Sequence, residues 1–218
     1  VCWGELAFNA MAPVVVVHGN GQGDDGRGGD FWEGKVLNSR DEPRLEMKEG
    51  FLVPFRRDKF PIYSDISMPT QSTADHGKLL GFLIPSIARE FGAKHVHIVT
   101  HSKGALDSRD FMARFVPPNF GIYSIHTVSG PHQGSPGPDY QLDAVGASLT
   151  YSDDAVRAAI GALSAPNPGT QSLRVSEAAT FNATNVPALP MEQTVDGITH
   201  KVQYWALSGD MNLDNSKN

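Results

Sequence analysis

Four consecutive valines, Val14 to Val17, preceded by Pro13 and closed by His18-Gly19, constrain this chain more than any other feature. Valine is stiff at χ1 and suits a pleated surface, and a run without polar alternation has no face to turn to water. It reads as a strand buried on both sides, as in the interior of a parallel sheet. Similar runs recur at His95 to Thr100, Ile122 to Val128 and Val202 to Leu207. Helical patterns lie between them. Ser72-Thr73-Ala74-Asp75 is a capping-box signal, followed by Leu79, Leu80, Leu83, Ile84, Ile87 and Phe91 at helical spacing, with Pro85 expected to kink that helix. Gly104 to Phe115 reads as a second helix with Leu106, Phe111, Met112 and Phe115 apolar. Strands alternating with helices form β-α-β units, so the expectation is an α/β fold, a mostly parallel sheet flanked by helices on both faces. Gly50 to Phe55 reads as a weaker strand, with Pro54 marking its end or a sheet edge.

The stretch from Gly130 to Pro190 differs, being rich in Gly, Pro, Ser and Ala. It holds one short helix candidate, capped by Ser152, started by Asp153 and Asp154, with Val156, Ile160 and Leu163 on one face before Pro166 and Pro168. Residues 137–170 are expected to form a lid above the sheet, with an ordinary surface excursion as the alternative. The chain is therefore expected to be one domain over 1–218.

Composition narrows the function. The 218 residues are 40% hydrophobic and carry a net charge of -6, enough for one core and too balanced for disorder. Residues 110–218 hold five Lys/Arg against ten Asp/Glu, which argues against a nucleic-acid groove. The apolar runs are far shorter than the roughly 20 residues of a membrane helix. No signal peptide is visible at Val1, so a processed or trimmed N-terminus is expected. Cys2 is the only cysteine, which excludes an internal disulfide and a cysteine-based metal cluster.

The sharpest local motif is Val99-Thr100-His101-Ser102-Lys103-Gly104-Ala105, between a strand and a helix. It has the form of a nucleophile elbow, G-x-S-x-G with Thr100 at the first Gly. A tight turn lifts the serine off the strand end, small neighbours tolerate its strained backbone, and the helix N-terminus faces any developing negative charge. A serine capping a helix is the bland alternative. A second glycine-bearing turn, His18-Gly19-Asn20-Gly21, ends the valine strand. Acyl transfer needs two N–H donors for its oxyanion, and the backbones of Asn20 and Lys103 are the candidates. A flexible loop is the alternative; a phosphate cradle is disfavoured, since no Gly-Lys-Ser/Thr ending follows.

Together, His18-Gly19, the elbow His101 to Gly104, and Ser129-Gly130-Pro131-His132-Gln133-Gly134-Ser135 resemble a secreted bacterial lipase or esterase of the α/β-hydrolase fold. Phe181-Asn182, Val186-Pro187 and the strand ending in Ser208-Gly209-Asp210 resemble the region before that family's catalytic acid. The resemblance runs from Pro13 to Asp210. It implies a triad in chain order Ser, Asp, His: Ser102 as nucleophile and Asp210 as acid, with Asp214 as runner-up. It also implies an extracellular protein acting on lipid or other esters.

The base is missing from that order. No His follows His200, which itself precedes the acid, and His132 reads as a brace for the lid root. His101 and His18 read as neighbours of the elbow and the oxyanion loop. The base, with the last strand and helix, is therefore expected beyond Asn218 or on a second polypeptide. His95 and His97 alternate on one strand face, where a metal pair is the alternative to a covered sheet face. No cofactor is expected. Asp210-Met211-Asn212-Leu213-Asp214 starts like a calcium loop but has Asn215 where glycine is needed, so solvated carboxylates are the better reading there and at Asp24, Asp25 and Asp30. The competing functions are a non-catalytic lipid-binding protein of the same fold, and a thioesterase or amidase with the same triad.

Overall fold

The computed structural model describes residues 11–20, 35–37, 43–46, 52–66, 70–142 and 167–207. The chain runs β1 (Val14–Val17), β2 (Lys35–Leu37), β3 (Pro43–Glu46), α1 (Leu52–Arg57), β4 (Ile62–Ile66), α2 (Thr73–Glu90), β5 (His95–His101), α3 (Gly104–Arg114) and β6 (Gly121–Val128). It continues through α4 (Pro136–Leu142), α5 (Pro168–Ser172), α6 (Val175–Asn185), a 3-10 turn at Val186–Ala188, and β7 (Glu192–Val195), β8 (Ile198–Lys201) and β9 (Gln203–Leu207).

Five strands pair in the order β4-β1-β5-β6-β9, all parallel, which confirms the parallel sheet. The valine strand is interior, and all four of its residues are buried. Val15 and Val17 join Val96, Ile98, Ile122 and Ile125 against Leu80, Ile84 and Ile87 of α2 and Phe111 and Met112 of α3. Val14, Val16 and Val99 face the other way, onto Leu52 and the half-buried Phe55 of α1. Helices thus cover both faces, and the hydrophobic run is explained by its having two cores to serve.

Helix α2 starts where its cap predicts: the Ser72 hydroxyl accepts from the Asp75 N–H at 3.1 Å and donates to the Asp75 carboxylate at 2.6 Å. Pro85 lies within it, and Leu80, Ile84 and Ile87 form its buried stripe. The expected strand at 50–55 is corrected to helix α1. Pro54 sits in its first turn, where a missing N–H costs no hydrogen bond, and its carbonyl accepts from Asp58 N–H at 3.0 Å. An apolar run this short has no period to separate strand from helix.

The region 130–190 is also more helical than expected, with α4, α5 and α6 in its described parts. The helix candidate at 152–163 lies outside the described residues, as do Asp24, Asp25, Asp30, Asp210 and Asp214. Among the described residues no helix is long and apolar enough to cross a membrane.

Candidate active site

The parallel strands β1, β5 and β6 all end at the same edge of the sheet, and Ser102 stands there between β5 and α3. Its φ is +52°, a left-handed backbone that L-residues adopt only under constraint. The Ser102 N–H donates to the Val128 carbonyl at 3.0 Å, and its carbonyl accepts from Ala105 N–H at 3.0 Å. The turn is therefore tied to β6 on one side and to the first turn of α3 on the other.

Small residues make this possible. A Cβ on Gly104 would lie 2.5 Å from the His18 carbonyl oxygen and 2.8 Å from that of Val17, so α3 begins in contact with the end of β1. A Cβ on Gly19 would lie 2.8 Å from Ser102 Cβ. A Cβ on Gly130 would meet Ala105 Cβ at 2.7 Å. These contacts bring the elbow, the His18-Gly19-Asn20 loop and the segment after β6 together. Thr100, the departure from the motif, is fully buried on β5 in register with Val17 and Thr127, so its size is absorbed by the sheet's interior.

Asn20 is pinned through its side chain. Its Nδ2 donates to Thr170 Oγ1 at 3.1 Å on α5, and Asn167 caps that helix by accepting from Thr170 N–H at 2.8 Å. Asn20 Oδ1 is buried without a hydrogen-bond partner. The Lys103 side chain is buried away from water, its Nζ donating to both oxygens of Asp107 at 2.7 and 2.8 Å. Asp107 Oδ2 also accepts from His76 Nδ1 at 2.6 Å. Of the residues expected at the site, Ser102, Lys103 and the Asn20 loop are thus brought together, while Asp210 falls outside the described residues.

All eight histidines are among the described residues. His132 is a brace. The Arg109 guanidinium can only donate, so His132 Nδ1 accepts from it at 3.1 Å and its Nε2–H donates to Thr127 Oγ1 at 3.0 Å. Burial, then the Arg109 charge, hold its pKa below the ordinary value. Asn182 on α6 closes the network, accepting from Arg109 at 2.9 Å and donating to the His132 carbonyl at 2.7 Å. The Arg109 guanidinium also lies 5.3 Å from the Phe181 ring centroid. Gly134, at φ +81°, and the Ser135 N–H, bonded to the Leu173 carbonyl at 2.8 Å, seat the start of α6 on the segment after β6.

His101 sits beside the elbow. Burial first, and then the nearby His18, push its pKa down to about 4, so it is neutral at pH 7. His95 and His97 of β5, His126 of β6 and His200 of β8 adjoin the rings of Tyr123 and Trp205. His95 stacks on Tyr123 at 4.3 Å, His97 Nδ1 is bonded to Ser124 Oγ at 2.8 Å, and His126 stacks on Trp205 at 6.3 Å. His95 thus gives a ring face to Tyr123, and His97 gives Nδ1 to a hydroxyl. Among the described residues no group of three or more His, Cys, Asp or Glu converges as metal ligands would. Sequence reasoning missed His76, Asp107 and Arg109, of which only the four-residue spacing of Lys103 and Asp107 on a helix carried a signal, and it singled out Asn182 only through the Phe181-Asn182 resemblance.

No family model matches the sequence. Its fold is similar to that of the lipase BlEst2 of Bacillus licheniformis in mature form, at 19% identity and TM-score 0.54, covering 82% of this chain and 61% of that one. It is similar also to the propeptide form of that lipase, at 18% identity and TM-score 0.56, covering 90% of this chain and 35% of that one. A third likeness is to the phospholipase PlaB of Legionella pneumophila, at 14% identity and TM-score 0.55, covering 91% and 39%. The chain thus spans less than two thirds of the length of these proteins. The parallel five-stranded sheet, its flanking helices and these likenesses together give the chain an α/β-hydrolase-type fold.

Proposed function

We propose that this chain carries the nucleophile half of a carboxylic-ester hydrolase of lipase or esterase type. Ser102 Oγ, its proton taken by the general base, attacks the ester carbonyl; the ester C–O bond breaks, the alcohol leaves with that proton, and water then cleaves the acyl-enzyme to the acid and free Ser102. The backbone N–H groups of Lys103 and Asn20 receive the oxyanion, a contribution of about 3 kcal/mol per donor at the transition state. The observation that carries this reading is the left-handed Ser102 at the β5–α3 junction, with Gly19 packed against its Cβ. A capping serine needs neither the strained φ nor the second loop at its side.

Asp210 orients the base in this scheme. The Ser129 N–H bonds to the Leu207 carbonyl at 2.8 Å, so β9 ends at the same end of the sheet as the elbow. The general base is a histidine other than His76, His101 and His132. Two observations support this: His132 and His76 are locked into internal hydrogen bonds, and His101 is held too far below neutral pH to accept a proton efficiently there. Residues 137–170 act as the lid over a lipid or other ester, in an extracellular protein that works without a cofactor.

Incubation of the native full-length protein with a fluorophosphonate, followed by peptide mass mapping, should place the adduct on Ser102. Labelling at another residue, or none together with no turnover of nitrophenyl esters, would sink the proposal. Faster turnover of acyl thioesters or anilides than of esters would move the bond and keep the nucleophile.

A further inference from the structure

We infer that Lys103, Asp107 and His76 form a buried positioning device for the elbow, so that Lys103 serves the site twice: its backbone donates to the oxyanion, and its side chain holds that backbone still. This rests on the ester-hydrolase reading. Lysine is almost never fully buried unless paired. Lys103 is 1% exposed and Asp107 is equally buried, one turn along α3. The carboxylate accepts three hydrogen bonds, two from Lys103 Nζ and one from the Nδ1–H of His76, which comes from α2. With Nδ1 donating, His76 leaves Nε2 buried and without a partner. The arrangement thus retains an unsatisfied polar atom while holding Asp107 from α2 through Oδ2, an oxygen that Lys103 Nζ also holds.

Stability alone is a poor explanation for such a chain. Buried ion pairs can often be replaced by apolar side chains of similar volume with no loss of stability. What apolar contacts lack is direction. Ser102 stores strain at φ +52°, and its relaxation would rotate the Ser102–Lys103 peptide, carrying the Lys103 N–H away from the oxyanion. Lys103 itself is helical at φ -53° and ψ -34°, and its side chain is fastened at the far end by two bonds to the same helix. Rotation of the peptide would have to break that fastening. Asp107 is in turn fixed to α2, so the turn is referenced to two helices and not to α3 alone.

The test uses the native full-length protein and the double variant K103M/D107L, which replaces the pair by apolar volume and keeps the backbone N–H that follows Ser102. The expected result is a folded protein whose melting temperature falls because Asp107→Leu takes the acceptor from buried His76 Nδ1–H, with kcat reduced about 10- to 100-fold, KM unchanged, and fluorophosphonate labelling slowed in proportion. A folded double variant with wild-type kcat and labelling rate, or one whose KM alone rises, overturns the inference. If that variant does not fold, His76→Leu and His76→Asn give the same reading: Asn Nδ2 takes the place of His76 Nδ1, can donate to Asp107 and should recover most of the kcat lost in Leu, whereas equal kcat in the two overturns the role. Wild-type protein that Ser102-directed reagents do not label overturns the hydrolase reading and this one with it; labelled wild type with unaffected variants overturns this one only.

Discussion

Removing the side chain that defines the elbow should make the protein more stable. Ser102 holds φ +52°, and for a residue with a Cβ that conformation costs roughly 1–2 kcal/mol. Glycine occupies it freely, at the expense of about 0.4–1 kcal/mol of extra unfolded-state entropy. Ser102→Gly should therefore be about 1 kcal/mol more stable than Ser102→Ala, which keeps the Cβ and equally lacks the hydroxyl. In a chain of this size that is a melting-temperature gain of about 2–4 °C. A second perturbation makes the reasoning stricter. A Cβ at residue 19 would lie 2.8 Å from Ser102 Cβ, with His101 Nδ1 and the His101 carbonyl oxygen farther off at 3.2 and 3.3 Å. Gly19→Ala should then cost about 1–3 kcal/mol in the Ser102→Ala background, as overpacking does, and about 1 kcal/mol less in the Ser102→Gly background, where its nearest obstacle is gone. Urea unfolding of the four combinations measures both numbers. If Ser102→Gly is no more stable than Ser102→Ala, or the Gly19→Ala cost is the same in both backgrounds, the strained, close-packed elbow is the wrong description.

Gly104→Ala should be harsher, because its Cβ would meet two backbone oxygens, at 2.5 and 2.8 Å, that cannot swing aside; a loss of about 3 kcal/mol or more by urea unfolding, with ester turnover falling as β1 and α3 separate, is expected. Arg109→Met should cost about 1–3 kcal/mol by leaving His132 Nδ1 and Asn182 Oδ1 without their donor, and an unchanged melt would show the brace to be idle. His101 supplies a pH dependence. Its folded pKa of about 4 lies below the ordinary 6.5, so between those values the unfolded chain binds the proton and the folded one does not. Stability is then fully present above 6.5 and falls as pH drops toward 4, by about 3 kcal/mol at about 1.4 kcal/mol per pH unit. His95, His97, His126 and His132 are shifted the same way by burial and add to the same slope. His101→Gln should flatten this part of the stability profile, and an unaltered profile would refute the assignment.

What was legible in the sequence was whatever burial writes locally. The valine strand, β5 and β6 are interior strands between two layers, and α2 announces itself by a cap and a buried stripe. Elements at the margins were not legible. Helix α1 is six residues long, β4 is an edge strand with Ser64 and Asp65 at its centre, and α6 buries only Ala178 and Asn185. The β7–β8 hairpin carries a local signal of its own. Asp196-Gly197 is a preferred pair for a two-residue turn, and both residues have positive φ, +51° and +77°. The site divides in the same way. Ser102, Lys103 and Gly104 are contiguous, so the turn could be read from its own residues. Arg109, His132 and Asn182 are brought together from three elements, and His76 reaches Asp107 across 31 positions, distances over which side-chain chemistry leaves no spacing to recognise.

The strain at Ser102 also explains why so many of its neighbours are small. A left-handed serine survives only if relaxing it would cost more elsewhere. Here the relaxing movement is blocked on three sides: the Ser102 N–H is held by the Val128 carbonyl, Gly104 sits on the carbonyls of Val17 and His18, and Gly130 lets Ala105 close against the segment after β6. The contacts at Gly104 and Gly130 depend on a missing or minimal side chain, so both could be relieved by a small outward movement of α3 if the helix were free to move. Its freedom is removed by the opposite face, where Phe111 and Met112 are buried with Leu80, Ile84 and Ile87, and by Asp107, which His76 ties to α2. The strain is thus opposed by the apolar core rather than by the turn. Mutations that loosen the α2–α3 packing should reach the nucleophile before they unfold the sheet: Met112→Ala, two turns along α3 from the elbow, should lower the fluorophosphonate labelling rate at denaturant concentrations where the protein is still folded, and labelling that falls only in step with global unfolding would show that the elbow holds itself.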